Sequence, residues 1–268
     1  SNATEYNGMN VLNGSYQSDD GRGQWRIQIG ADNDVNNQHQ FSLMDATATG
    51  LGLQDSTSSV ESSLEVTSPS NVTFTDSGQS LGSSDSRGVE LGDVDGDGDF
   101  DAFVANKGQS NKVWINDGNG TFTDSGQSLG TSDSRGVELG DVDNDGDLDA
   151  FIANQINQPN KVYINDGNGN FTSGQSLGSS HSYDVELGDV DDDGDLDAFV
   201  ANKDQADKVW VNDGNGTFTD SGQSLGASGS YDVLLGDVDD DGDLDAFVAN
   251  AWDQPNKVWI NDGNGTFT

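Results

Sequence analysis

The sequence predicts an all-β fold built from repeats, and two observations carry this prediction. A nine-residue acidic pattern occurs four times, as DVDGDGDFD, DVDNDGDLD, DVDDDGDLD and DVDDDGDLD, at a constant step of 48 residues from Asp93 to Asp237. Each repeat also holds four short segments with the apolar patterning of strands. Four strands in such a period are typical of one propeller blade. We therefore expect a β-propeller of four-stranded blades, four of which are visible, with a small N-terminal β-hairpin segment.

The first repeat shows how each strand is predicted. Residues 89–92 alternate apolar and polar side chains and lead directly into the acidic pattern. Residues 101–106 (DAFVAN) form a continuous apolar run, as in a strand covered on both faces. Residues 112–116 (KVWIN) form a third strand. The Asp-Gly-Asn-Gly that follows tolerates positive φ, so it predicts a tight turn into a fourth strand at residues 121–123.

Two positions of each repeat carry an aromatic side chain. Aromatic residues dominate buried area in protein cores, so we expect them to pack one blade on the next. Stacking on a ligand is the alternative. The residues are Phe103, Phe151, Phe199 and Phe247 at one position, and Trp114, Tyr163, Trp210 and Trp259 at the other.

The N-terminal part has no repeat. The first three residues, Ser-Asn-Ala, read as the remnant of an expression tag. Within residues 4–53, two stretches (24–30 and 39–44) alternate with period two and predict a hairpin, which is marginal in water unless it packs on something. Residues 54–70 are rich in Ser and Thr and read as a linker, with an extra strand near residue 65 as the alternative. Residues 71–268 hold the repeats.

Composition and charge exclude several classes of function. With 10 basic and 48 acidic residues, the net charge is −38, so the chain lacks the basic surface that contact with nucleic acid requires. The same charge disfavours binding to anionic lipid, and no apolar run approaches transmembrane length. The chain has no Cys, which excludes disulfides, thiolate zinc sites and Cys nucleophiles.

The acidic pattern predicts a site for a hard cation. We expect side-chain oxygens from its first, third, fifth and ninth positions and a backbone carbonyl from its seventh, around a turn that the Gly at its sixth position permits. Carboxylate oxygens favour Ca²⁺ over zinc or copper, and Mg²⁺ prefers to keep its waters. About four Ca²⁺ ions are therefore expected, with a solvated acidic turn as the alternative. An EF-hand is excluded, because its twelfth position would fall inside a strand, at Val104 in the first repeat.

The predicted metal ligands comprise five Asp residues in each of the four repeats. They are Asp93, Asp95, Asp97, Asp99, Asp101, Asp141, Asp143, Asp145, Asp147, Asp149, Asp189, Asp191, Asp193, Asp195, Asp197, Asp237, Asp239, Asp241, Asp243 and Asp245.

The repeats resemble a known family. GDVDGDGDFDAFVAN and its three counterparts are similar to the FG-GAP/VCBS-type repeats of integrin-like β-propellers, over residues 71–268. The resemblance implies that each Asp loop joins the first two strands of a blade and binds calcium. The literal Phe-Gly and Gly-Ala-Pro tripeptides are absent, so the match is to the Asp-rich variant.

Whether the repeats close into a ring is a separate question. Integrin-type propellers have seven blades, so four repeats form either a rare four-bladed ring or an arc of a larger one. Phe74-Thr75 match Phe267-Thr268. This overlap would let one end of the chain complete the blade at the other end, and it favours closure.

The N-terminal segment resembles a different family. EYNGMNVLNGS and WRIQIGADNDVNNQHQFSLMDATATGLGL are similar to the β-hairpin of the flagellin core domain, and the resemblance covers residues 6–53. The resemblance implies a place in a bacterial flagellar filament, outside the cell. The repeats stand where flagellins carry a hypervariable outer region. Other flagellin subunits would then be partners, through helices that this sequence does not contain.

A second candidate surface precedes the first strand of each blade. In a propeller this place lies on the face away from the acidic loops. Arginine and aromatic side chains on an acidic surface are suited to recognition of glycan or protein, although ordinary loop packing is the alternative. The candidates at this place are Arg87, Arg135, Tyr183 and Tyr231, and Trp252, from the loop at residues 251–256, is a further candidate for the same surface.

No catalytic constellation is evident. His39 and His181 lie in unrelated segments, and neither Gly-x-Ser-x-Gly nor His-Glu-x-x-His occurs. The sequence therefore favours a non-enzymatic, extracellular, calcium-binding propeller that forms the outer domain of a flagellin-like protein. One alternative is a lectin or adhesin that binds glycan or host protein through the propeller face. The other is a hydrolase built on a propeller scaffold. Neither nucleic acid nor membrane insertion is expected.

Overall fold

A computed structural model describes residues 73–268 and four short strands before them. The chain divides into two compact units, Ser1–Phe74 and Thr75–Thr268. The linker predicted at residues 54–70 lies outside the described residues. Within the described part of the chain, no helix is long and apolar enough to cross a membrane.

The N-terminal unit contains two antiparallel strand pairs. β1 (Glu5–Tyr6) pairs with β2 (Met9–Asn10). β3 (Gln24–Gln28) pairs with β4 (Gln38–Ser42), with Trp25 opposite Phe41. The predicted hairpin is confirmed, and each of its two strands ends two residues before the predicted boundary.

The second unit contains four antiparallel sheets, one in each repeat, and its described residues form no helix. Three sheets have four strands and the last has three, always in sequence order. The predicted all-β, blade-like repeat fold is thus confirmed. The strands are β5 (Ser86–Gly92), β6 (Asp101–Asn106), β7 (Lys112–Asn116) and β8 (Phe122–Asp124); β9 (Ser134–Gly140), β10 (Asp149–Asn154), β11 (Asn160–Ile164) and β12 (Thr172–Leu177); β13 (Ser182–Gly188), β14 (Asp197–Asn202), β15 (Lys208–Asn212) and β16 (Phe218–Asp220); and β17 (Ser230–Gly236), β18 (Asp245–Asn250) and β19 (Lys257–Trp259).

The first strand of each blade is longer than the sequence indicated. In the first blade it begins at Ser86, which pairs with Asn106, and the register shifts before Gly88 pairs with Ala105. Gly88 is required by the next blade, because a Cβ there would lie 2.5 Å from the carbonyl oxygen of Arg135. The extra residues are polar or Gly, so apolar alternation did not mark them as strand.

Neighbouring blades pack through their faces. The first strands lie side by side, β5 with β9, β9 with β13 and β13 with β17. Between the first two blades, Phe103 and Ala105 of one blade form a buried cluster with Val137, Ile152 and Tyr163 of the next. The other two interfaces repeat this pattern, with Phe151 and Trp210 in one and Phe199 and Trp259 in the other, as expected. Phe247 is the exception, because it is 46% exposed.

The four blades form an open row, and the expectation that favoured closure is wrong. Among the described residues, β17 and β5 do not share the extensive contact that joins the other neighbouring first strands. Phe74 is 95% exposed. Phe267 pairs with Asn261, and Thr268 and Ile260 exchange backbone hydrogen bonds, so the last repeat supplies its own outer edge.

Candidate metal centres and a cation–aromatic cluster

Each acidic loop joins the first two strands of its blade and folds around its first Asp. In the first repeat, Asp93 accepts hydrogen bonds from the backbone N–H groups of Gly96 (2.8 Å) and Gly98 (2.9 Å). Gly98 has a φ of 95°, which side chains with a Cβ rarely adopt. The Gly of the pattern therefore lets the backbone wrap around a carboxylate.

Three of the predicted ligands in each loop converge. They are the Asp residues at the first, third and ninth positions, and one oxygen of each lies within 4.8 Å of the others. We call each such group a triad. The four triads are Asp93, Asp95 and Asp101; Asp141, Asp143 and Asp149; Asp189, Asp191 and Asp197; and Asp237, Asp239 and Asp245.

The ninth Asp anchors the triad to the sheet. It is fully buried in all four repeats. In the first repeat, Asp101 accepts hydrogen bonds from the backbone N–H groups of Val94 (3.1 Å) and Asn116 (2.8 Å). The same two contacts recur in the other blades. One ligand position is thus held by a strand, and the loop brings the other two to it.

The side chains at the fifth and seventh positions lie outside the triads. Asp97, at the fifth, accepts a hydrogen bond from the backbone N–H of Asp99 (3.0 Å). Asp99, at the seventh, lies against Gly118 of the hairpin turn, where a Cβ would collide with its carboxylate. In the third repeat, the seventh-position Asp195 accepts a hydrogen bond from the Asn144 amide of the preceding blade (2.7 Å). Its side chain therefore links two loops.

Several triad oxygens are buried without a protein partner. They are Oδ1 of Asp143, Oδ1 of Asp189 and Oδ1 of Asp191. Buried polar atoms nearly always have a hydrogen-bond partner, so these atoms indicate a missing ligand. Burial, with repulsion from Asp145 as the next cause, raises the pKa of Asp143. Burial also raises the pKa of Asp149 to about 6. An all-oxygen donor set of this kind fits a hard divalent cation.

A second group of side chains lies at the start of the first strands, away from the acidic loops. The guanidinium of Arg135 lies 4.1 Å from the ring centroid of Tyr183 and 4.9 Å from that of Tyr231. The ring of Tyr231 lies 5.1 Å from that of Trp252, and Lys203 Nζ lies 4.4 Å from the Trp252 ring. We call these five residues the cation–aromatic cluster.

The structure brings together four of the five residues predicted for this surface. The exception is Arg87, which pairs with Asp85 at 2.9 Å. Sequence reasoning missed Lys203, although it occupies the same place after the second strand as Lys107 in the first repeat. His181 also lies beside the cluster, with its ring 5.2 Å from that of Tyr183. Burial, and then the charge of Lys203, lowers the pKa of His181.

Trp252 owes its position to the backbone of the last blade. It has a φ of 53°, and the ring lies so close to Gly229 that a Cβ there would be 2.6 Å from it. The earlier repeats carry Asp85, Asp133 and His181 where the last has Gly229. Only the last repeat therefore has room for a Trp ring at this place.

A cavity of about 450 Å³ lies between the first two blades. Its walls include Asn111, Ser134, Lys161, Tyr163 and Phe171. Tyr163 stands where the other three repeats have Trp, so a smaller ring leaves space at this interface.

Comparison with known proteins places the repeats in a family. The FG-GAP-like repeat matches residues 93–152, 141–200 and 189–248, which together span more than half of the chain. A comparison with curated proteins gave no match.

A comparison with solved structures also gave matches, two of which are described here. One is a lectin of Agrocybe aegerita that recognises non-reducing terminal N-acetylglucosamine, with 18% identity, a TM-score of 0.46 and coverage of 96% of this chain. The chain spans 64% of that lectin. The other is the Photorhabdus luminescens Tc holotoxin pore, with 16% identity, a TM-score of 0.36 and coverage of 96% of this chain and 11% of that one. On the family match, the chain belongs to the FG-GAP-like repeat proteins.

Proposed function

We propose that the repeats form a non-enzymatic calcium-binding module, displayed outside the cell as the outer domain of a flagellin-like filament protein. The observation that carries the calcium proposal is the fourfold recurrence of the triad, together with buried, unpartnered oxygens in the second and third repeats. The side chains at the first, third and ninth positions would hold the ion. The side chain at the fifth position of the pattern and the backbone carbonyl at the seventh position are the further ligands expected from the sequence.

Calcium in these loops has a structural role. Carboxylates within 4.8 Å of one another repel, by about 1 kcal/mol per pair in water and about 4 kcal/mol at an effective dielectric of 20. A bound cation offsets this repulsion and ties the loop to the buried end of the second strand. The ion thereby stabilises the corner between the first two strands of every blade.

The absence of catalysis is part of the proposal. Among the described residues, the triads account for the Asp clusters that could hold a metal. His181 packs beside Tyr183, on the other side of the blades from the acidic loops.

The flagellar part of the proposal rests on the N-terminal segment. Its resemblance to the flagellin core hairpin is supported by the antiparallel pairing of β3 with β4. In a filament, an outer module with so many carboxylates would keep neighbouring filaments apart. The full reading frame tests this idea. Long apolar-heptad helices on both sides of the sequence are expected, whereas a signal peptide directly before residue 4 and no such helices would remove the assignment.

The calcium proposal is tested by calorimetric titration and thermal melting. We expect about four ions per chain, with Kd values of ~10⁻⁴–10⁻³ M, as is usual for extracellular modules. Each site would stabilise the fold by ~2.7 kcal/mol at a hundredfold excess of ligand over Kd. Removal of calcium with EDTA should therefore lower the Tm by many degrees, and an unchanged melting curve would contradict the proposal.

A matched pair of variants assigns the ligands within one loop. Asp143→Asn removes the charge of an unpartnered triad oxygen, so this variant should bind three ions instead of four. Without calcium it should be at least as stable as the unmodified protein, because repulsion in the loop falls. Asp147→Asn alters a side chain outside the triad and should keep all four sites. Four ions in both variants would show that the triads are not the ligands.

Glycan recognition is a second candidate function, favoured by the cation–aromatic cluster. Three aromatic rings lie in contact with two cations on a chain of net charge −38, and Trp252 is 52% exposed. Aromatic faces and Arg are suited to such recognition. A glycan array should detect binding that Trp252→Ala and Arg135→Ala abolish. Arg87→Ala alters the equivalent residue of the first blade, outside the cluster, and should leave binding unchanged.

A further inference from the structure

The two ends of the row of blades expose apolar faces that every interior blade buries. At the beginning of the row, Val89, Leu91 and Phe100 are exposed, and we call this surface the leading face. At its end, Phe247 and Val258 are exposed, and we call this surface the trailing face. An exposed apolar patch of this kind is characteristic of a binding surface.

The interior interfaces show what these faces bind. Val137 is equivalent to Val89 and is 7% exposed, whereas Val89 is 59% exposed. Phe103, Phe151 and Phe199 are fully buried in the trailing faces of the first three blades. Each trailing face thus packs on the leading face of the next blade, and the two terminal faces are the unused halves of the same interface.

A repeated hydrogen bond is also left incomplete at the two ends. At each interior interface an Asn at the end of the third strand donates to a Val carbonyl of the preceding blade, at 2.7–2.8 Å. The first of these bonds joins Asn165 to Val94. The side-chain amide of the equivalent Asn116 in the first blade donates instead to the carbonyl of Phe100 in its own blade. The equivalent acceptor in the last blade is the carbonyl of Val238, so donor and acceptor lie at opposite ends.

Pairs of aromatic rings are likewise complete at the interior interfaces and incomplete at the two ends of the row. Each interior interface contains an edge-to-face pair of Phe rings, such as Phe103 with Phe171, with centroids 5.2–5.5 Å apart. Phe247 of the last blade is equivalent to Phe103 but has no such partner within the described residues. Phe122 of the first blade is equivalent to Phe171 and has none there either. The two unpaired rings again lie at opposite ends of the row.

We propose that the trailing face of one copy of this chain binds the leading face of a second copy, in the geometry of the interior interfaces. The contact joins two different surfaces of the same molecule. It is therefore heterologous and either closes a ring or extends into a chain of blades. The net charge opposes the approach of two copies, so association should strengthen with salt. This inference does not depend on calcium or on a flagellar location.

Sedimentation of the full chain and two charge variants tests the proposal. In about 0.15 M salt, the unmodified chain should form larger species as its concentration rises. Phe247→Asp destroys the trailing face and Val89→Asp the leading face, so each variant alone should stay monomeric. Mixed in equal amounts, the two variants should form a dimer and nothing larger, because one intact face of each kind remains.

The mixing step distinguishes this contact from other kinds of association. If two leading faces or two trailing faces bound each other, Phe247→Asp or Val89→Asp would dimerise without the other variant. That result would overturn the proposal. An unmodified chain that stays monomeric at every concentration would overturn it as well. Ile156→Asp changes an exposed apolar residue in a loop of the second blade and should associate like the unmodified chain. Circular dichroism checks folding, and Val258→Asp replaces Phe247→Asp if the latter does not fold.

Discussion

Phe151 and Phe247 occupy the same position in equivalent strands, and their surroundings differ. Phe151 lies opposite Glu138 and Val162, and Phe247 lies opposite Leu234 and Val258. Phe151 is fully buried, whereas Phe247 is 46% exposed, because only Phe151 has a following blade to cover it. The pairing of strands is thus a local property of the repeat, and burial is a property of the neighbouring blade. The free energy of unfolding of such an array is approximately the sum of the intrinsic stabilities of its repeats and the stabilities of the interfaces between neighbouring repeats.

The largest expected effect is a difference between these two residues. Phe151→Ala should lower the free energy of unfolding by about 3–5 kcal/mol, the usual loss for a buried Phe. Phe247→Ala should lower it by less than about 1.5 kcal/mol, since much of its ring already contacts water. Urea denaturation with calcium present, at a concentration where the chain is monomeric, measures both. Equal losses would mean that the last blade is covered.

A carboxylate at position 207, which is buried, can be compared in the same way with one at the equivalent exposed position of the last blade. Asp207 is buried between the last two blades, where Ser230 donates a hydrogen bond to it (3.0 Å), and the other repeats have Asn at this position. Burial raises the pKa of Asp207 to about 7, against the lowering effect of hydrogen bonds from Asn202 and Ser230. The folded protein therefore keeps this proton to a higher pH than the unfolded chain does. The stability that results is fully present below the unperturbed pKa of 3.8 and is lost as the pH rises through about 7.

Asp207→Asn should therefore stabilise the protein at alkaline pH. We expect a gain of about 2 kcal/mol near pH 8 and almost none near pH 4, within the limit of 1.4 kcal/mol per pKa unit. Asn256→Asp places the same carboxylate at the exposed equivalent site of the last blade and should change stability by less than about 0.5 kcal/mol. Melting curves at several pH values measure both variants. A gain from Asp207→Asn that does not depend on pH would contradict the charge explanation.

Glu138 gives a smaller effect of the same kind. It lies on the first strand of the second blade, between the strands that carry Glu90 and Glu186. Burial, followed by repulsion from Glu186, Glu90 and Asp184, raises the pKa of Glu138 to about 8. Its contribution to stability is therefore present below the unperturbed value of 4.5 and is lost as the pH rises through about 8.

Glu138→Gln should remove part of this pH dependence. Because the side chain is only partly buried, water screens the repulsion, and we expect a gain of about 1 kcal/mol near pH 9. Glu90→Gln is the matched control, with a neighbouring blade on one side only, and its gain should be smaller. If the two variants gain equally when melted side by side from pH 5 to pH 9, the second neighbouring blade has no effect.

The smallest effect concerns the cavity between the first two blades. Tyr163→Trp restores the residue of the other repeats, whose rings fit against Gly82, Gly178 and Gly226. The larger ring should fill part of the cavity and raise stability by about 0.5–1 kcal/mol. That gain corresponds to about 1–4 °C in Tm for a unit of this size. A lower Tm would show that the cavity does not accept the Trp ring.

The sequence alone predicted most of the local structure. The 48-residue period, the apolar runs and the Asp-Gly-Asn-Gly turns predicted the strands, two of which, β6 and β7, have the predicted bounds. These signals suffice because strand formation depends on alternation and turn residues that lie close together in the chain. The acidic loops were recognisable for the same reason, since all their residues lie within nine positions.

Only the tertiary structure decided which side chains meet across longer distances. It assembled the first, third and ninth Asp of each loop into a triad, in which the ninth Asp is buried and accepts backbone hydrogen bonds from the loop and from the third strand. It also added Lys203 to the cation–aromatic cluster, from a loop of another blade. The open ends could not be predicted from repeats that are nearly identical, because Phe151 and Phe247 have similar local sequences. Burial depends on the atoms that cover a face, and those atoms come from the next blade rather than from the repeat itself.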